Sequence, residues 1–207
     1  MAASADAIPE FWSESWRWAA PAWRREYGAP GRGLDRYAAR LIYSEWASRF
    51  GLPQRWHAPA DARWVELVQA TPAGLHAVSD VLGHLALLRA GAPAAVRGPA
   101  VPDRWLAQAL KYRDVHTMRI RLLALNGDLP APRECGVRVL CAMARRGWPE
   151  AESRFAMLAA PDDGGVPRAS TLASPLQIDE IDVSRCLSIG GAALRAWSAE
   201  PVEEGVH

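Results

Sequence analysis

Apolar residues recur three and four places apart along most of this chain, and glycine or proline cuts the pattern at intervals. That spacing is the signature of amphipathic helices divided by turns. Period-two alternation is scarce, so the expected fold class is all-α. Tyr37, Leu41, Ile42 and Trp46 lie at helical spacing between Asp35 and Phe50, and Gly51 with Pro53 closes that helix. A short helix starts at Asp61 and runs to Gln69 around Trp64, Val65, Leu67 and Val68. Thr71 and Pro72 form a strong helix start, a cap hydroxyl followed by proline at the first helical position. Leu75, Val78, Leu82, Leu85 and Leu88 carry this helix to about Ala90.

A Pro/Gly-rich connector from Ala92 to Pro102 leads into a helical pattern from Pro102 to about Leu125, as one helix or two. Asn126-Gly127 stops it. Further helices span Pro132 to Arg146 and Trp148-Pro149 to Leu158. Pro161 to Pro175 reads as a loop. Leu176 to Trp197 reads as a weaker helix around Gly190-Gly191, with Leu176 to Val183 the one passage of strand-like pattern. The expected organisation is a Trp-rich N-terminal segment (1–33), a helical core domain (34–160), a loop (161–175) and a C-terminal segment (176–207).

Half of the 207 residues are hydrophobic, and 24 Lys+Arg stand against 23 Asp+Glu for a net charge of +1. A chain this apolar and this neutral is not disordered throughout, and it lacks the basic excess that phosphate-backbone binding needs. Cys135, Cys141 and Cys186 are odd in number and contain no Cys-x-x-Cys pair, which argues against a disulfide framework and for a reducing compartment. The start MAASADAIPEFW lacks a basic region followed by an apolar one, so a secretory signal is not expected. Asp80, His84, Arg89 and Pro93 interrupt the most apolar stretch, Val78 to Val96, so no transmembrane helix is expected.

No Gly-x-Ser-x-Gly, P-loop or His-Glu-x-x-His pattern is present. Gly28, Gly31 and Gly33 follow no strand that would make them a phosphate cradle. His76, Asp80 and His84 share one helix face, and neighbours in that row could bind a metal in pairs. His76 and His84 lie about 12 Å apart along the axis, too far to ligate one ion together, so a polar face is the plainer reading. His116 would have to come from elsewhere in the fold. Cys135 and Cys141 read as small buried hydrophobes. Lys111, Arg113, Arg119 and Arg121 mark a basic helix face, extended by Arg145-Arg146, which a DNA-binding or regulatory protein would use. Tryptophan is in excess at 10 residues. Trp12, Trp16 and Trp23 form a helical stripe with Trp18 off it, crowded beside Pro21. That crowding reads either as core or as a candidate partner interface, with Arg113, Arg119 and Arg121 joining the latter.

The order of several pieces resembles the type III secretion K protein, the YscK/SctK family of the cytoplasmic sorting platform. The resembling stretches lie between Phe50 and Pro161. They are FGLP (Phe50 to Pro53), ARWVELVQATPAGLHAVSDVLGHLALL (Ala62 to Leu88) with its Leu82-Gly83 step, and the connector Val96-Arg97-Gly98. After these come DRWLAQALKYRD, Gly136-Val137-Arg138-Val139-Leu140 leading to Trp148-Pro149, and SRFAMLAAP (Ser153 to Pro161). Lys111-Tyr112-Arg113 stands where that family has a Leu-Gly-Glu turn. The resemblance implies a non-enzymatic cytoplasmic adaptor, without cofactor or metal. Its partners would be the cytoplasmic domain of an inner-membrane ring protein and the platform protein that carries the ATPase complex. It would work at the cytoplasmic face of the inner membrane.

Overall fold

A computed structural model describes residues 11–27, 35–55, 57–92, 120–124, 131–159 and 176–199. These residues are mainly helical, as the periodicity predicts. Residues 11–13 are helical and a 3-10 turn spans Ser15–Arg17. Helix α1 is Pro21–Tyr27, α2 Arg36–Phe50, α3 Arg63–Val68 and α4 Pro72–Arg89. Strand β1 is Ile120–Ala124; α5 is Pro132–Gly147; a 3-10 turn at Pro149–Ala151 leads into α6, Glu152–Ala156. Strand β2 is Leu176–Ile181 and α7 is Val183–Ser198.

Local chemistry sets the helix ends. The Asp35 carboxylate accepts from the amides of Tyr37 and Ala38 at 2.8 and 2.7 Å, and the Thr71 hydroxyl accepts from the Gly74 amide at 3.2 Å. Asp182 does the same for α7 through the Arg185 amide. Gly51 (φ 59°) and Gly91 (φ 71°) take the left-handed conformation that ends α2 and α4.

Helix α4 is the centre. It buries residues on every side, from Gly74 to Leu87, as a helix enclosed by neighbours must. Helix α5 crosses it most intimately, and α7 packs on another side. A Cβ on Gly83 would stand 2.6 Å from the Gly136 amide nitrogen and closer still to the Pro132 carbonyl; one on Gly136 would run into the backbone of Ser79. The two helices therefore touch backbone to backbone, each through a glycine. Helix α7 also rests on α3, where Arg63 reaches the Ser184 carbonyl and the Ser188 hydroxyl at 2.8 and 2.6 Å. The C-terminal segment thus packs on the core.

Three expectations change. Residues 120–124 are a strand, not the end of a helix: they pair antiparallel with β2, Ile120 opposite Ile181 and Ala124 opposite Leu176, with an irregularity after Arg121. Long-range pairing overrides the helix preference of a Leu-rich run, and it makes a true strand of the passage that reads as strand-like. The stretch from Pro149 is a 3-10 turn plus one short helix rather than a continuous helix. In α2, Tyr37 and Leu41 are 74% and 58% exposed, whereas Trp46, Ala47 and Phe50 face inward. The 28–33 loop, the 102–119 part of the helical pattern and the 161–175 loop lie outside the described residues.

Candidate functional site

The N-terminal tryptophans are internal. Trp12, Trp16, Trp18 and Trp23 are all less than a tenth exposed. Each has a partner deep in sequence. The Trp18 indole N–H donates to the Ala70 carbonyl at 3.1 Å and that of Trp23 to Ala159 at 2.7 Å. Trp12 stacks on Trp148 with centroids 5.8 Å apart, and Phe11 meets Phe155 at 5.3 Å. Trp16 and Trp23 belong to a second apolar cluster with Trp46, Phe50, Leu52 and Met157. Of the two readings open for this stripe, burial supports core: all four indoles are enclosed, and those of Trp12, Trp18 and Trp23 donate to carbonyls of their own chain.

Arg154 on α6 joins the two clusters. It is 2% exposed, and its guanidinium carbon lies 3.5 Å from the centroid of the Trp12 ring. Its Nη2 donates to the carbonyls of Trp12 and Pro53 at 3.2 and 3.0 Å and to the Tyr43 hydroxyl at 2.8 Å. No carboxylate pairs with it among the described residues. Burial pulls it down from the usual arginine range to about 10, partly opposed by Tyr43, so it remains a cation at neutral pH. Carbonyl dipoles and an aromatic face compensate the buried charge. An arginine inside SRFAMLAAP carries no sequence signal for this role beyond its apolar neighbours Phe155 to Leu158.

The polar row on α4 is divided among separate tasks. The Asp80 carboxylate is gripped by Arg133, with Nε at 3.0 and Nη2 at 2.7 Å. Burial, and then the Arg133 charge, hold His76 below the usual imidazole range. His84 is buried. No group of three His, Cys, Asp or Glu that could hold a metal occurs among the described residues. All three thiols are buried, and burial pushes each up to about 12.

Of the basic residues, Arg145 pairs with Glu152 at 2.5 Å and Arg146 donates to the Ile181 carbonyl at 3.3 Å. Arg121 belongs to strand β1, opposite Glu180, so the basic helix face does not extend to it. Lys111, Arg113, His116 and Arg119 lie outside the described residues, as does Trp56. Trp197 lines a groove of about 520 Å³ between the ends of α3 and α7, beside the exposed Glu66–Arg195 pair. No helix among the described residues is long and apolar enough to cross a membrane. Comparison with protein-family models, with curated proteins and with solved structures finds no match to this chain.

Proposed function

We propose that this chain is a non-enzymatic adaptor of a bacterial type III secretion sorting platform. It would link the cytoplasmic domain of the inner-membrane ring protein to the platform protein that carries the ATPase complex, at the cytoplasmic face of the inner membrane. The observation that supports this reading is how the resembling stretches come together. Leu82-Gly83 and Gly136-Val137 meet at one backbone crossing of α4 and α5. Phe50 to Pro53 and the described part of the second stretch, Ser153 to Ala159, meet at Arg154, whose guanidinium donates to the Pro53 carbonyl. Among the described residues, stretches that resemble one family piece by piece along the sequence meet at two junctions in space.

The test is reconstitution with the purified ring-protein cytoplasmic domain and platform protein from the same host. The expected result is a ternary complex by size exclusion and separate binding of each partner by calorimetry. No association with either partner at micromolar concentration sinks the proposal.

A further inference from the structure

Helix α2 turns one face to solvent. Tyr37, Leu41, Ser44 and Ser48 are all exposed and follow one another at intervals of four, three and four. That is the three-four spacing of a helix-pairing seam, in which Tyr37 and Ser44 take one core position of the heptad and Leu41 and Ser48 the other. The opposite face carries Trp46 and Phe50 into the protein's own core, with Ala47 buried on the flank that also carries Arg40, so that core lies behind the seam. Tyr37 and Leu41 are two of the three large hydrophobic side chains that stand exposed among the described residues.

Two charges flank the seam. Arg40 is on one side and Glu45 on the other, both exposed. Neither has an ion-pair or hydrogen-bond partner among the described residues. They are five residues apart, a distance that does not bring them together within one helix. Across a parallel pair of helices in register, however, the flanking residue before one core position faces the residue five later on the other helix. Arg40 of one copy then meets Glu45 of the other, twice by symmetry. An antiparallel pair sets like charges against each other on both flanks.

We propose that α2 is a self-association surface, on which a second copy of this chain docks in parallel about a two-fold axis. Tyr37 and Leu41 form its apolar centre and the Arg40–Glu45 pairs fix its direction. At the other end the small side chains of Ser44 and Ser48 let the two backbones approach, and their hydroxyls keep that end of the seam soluble in the monomer. The seam is about 16 Å long at 1.5 Å per residue and only half of it is apolar, short of what a permanent dimer needs. Association is therefore weak and concentration-dependent, and it is independent of the adaptor reading.

Sedimentation equilibrium of the full chain tests this. The weight-average mass is expected to rise from 22.6 kDa toward twice that value between about 10 µM and 1 mM. Leu41→Arg and Arg40→Glu should each hold the protein monomeric through that range. The double change Arg40→Glu with Glu45→Arg should restore the dimer, since the pairing is only inverted. The three substituted residues are all exposed, so unchanged circular dichroism confirms that the variants fold. A wild-type protein that stays monomeric at 1 mM overturns the proposal. A dimer unaffected by Leu41→Arg, or not restored by the double inversion, overturns it as well. None of these outcomes bears on binding to the ring or platform proteins.

Discussion

The crossing of α4 and α5 is where a single methyl group has the largest consequence. Gly83→Ala places a Cβ 2.6 Å from the Gly136 nitrogen and nearer still to the Pro132 carbonyl. Non-bonded heavy atoms rest near 3.5 Å, so clearing the Pro132 carbonyl oxygen requires the helices to separate by well over an ångström. Backbone cannot rotate out of the way as a side chain can. Overpacking of a tight core costs about 1–3 kcal/mol, and a backbone collision belongs at the upper end. Alanine returns about 0.5–1 kcal/mol of helix propensity. The net loss is then roughly 2 kcal/mol, a fall in melting temperature of roughly 4–8 °C for a chain of this length. Gly136→Ala should behave alike, because its Cβ meets the backbone of Ser79. The double variant should lose less than the sum, since one opening of the helix pair relieves both clashes. Gly191→Ala is the control. Its Cβ would lie 2.8 Å from a Glu66 carboxylate oxygen, the end of a surface side chain that can swing aside, so stability should stay within about 1 kcal/mol of wild type. Thermal melts followed by circular dichroism decide the matter. A Gly83→Ala protein melting within a degree of wild type, or no lower than Gly191→Ala, refutes the argument.

Other outcomes follow from the same contacts. Arg154→Ala strands the carbonyls of Trp12 and Pro53 and removes the cation from the Trp12 ring, and should cost about 3 kcal/mol. Limited proteolysis should cut first near residues 11–27, and Arg154→Lys should not rescue, because an ammonium lacks the planar fork. His76 is held neutral, so the unfolded chain takes up its proton first. Stability should be full above about pH 6.5 and fall as pH drops below it, by no more than about 1.4 kcal/mol per pH unit. Urea midpoints at pH 7.5, 6.5 and 5.5 should show this slope in the wild type and a flatter one in His76→Gln. The three buried thiols should resist a disulfide reagent at pH 8 in the native state and all react in denaturant; rapid native labelling of any one contradicts its placement.

Helices with strong local punctuation are legible in this sequence because their ends are decided by neighbours a few residues away. Thr71-Pro72 opens α4 and Gly51 closes α2 where their chemistry requires. The strand at 120–124 is not legible, because its state depends on a partner more than fifty residues downstream and not on its own leucines. Periodicity places Tyr37 and Leu41 on one face of α2 without saying which face turns inward. Trp46 and Phe50 decide that through Trp16 and Trp23, which no spacing connects to them. Arg154 is invisible for a similar reason. A buried arginine is recognised by the carbonyls that surround it, and those come from residues 12 and 53.

The tryptophan excess has a physical explanation in these contacts. The N-terminal segment has few residues with which to hold itself to the helical body, and its described helices are short: α1 has 7 residues. Helices of that length are marginal alone, so tertiary packing must supply their stability. Large flat side chains that bury most area per residue, each with one N–H to fix its direction, achieve this with the fewest positions. Trp18 and Trp23 each direct that N–H to a carbonyl of the helical body, and Trp12 lays its ring beneath Arg154. The segment is thereby keyed to α6 by the Arg154 cation and by the contact of Phe11 with Phe155. The segment that looks adhesive in sequence has thus turned its indoles onto its own chain.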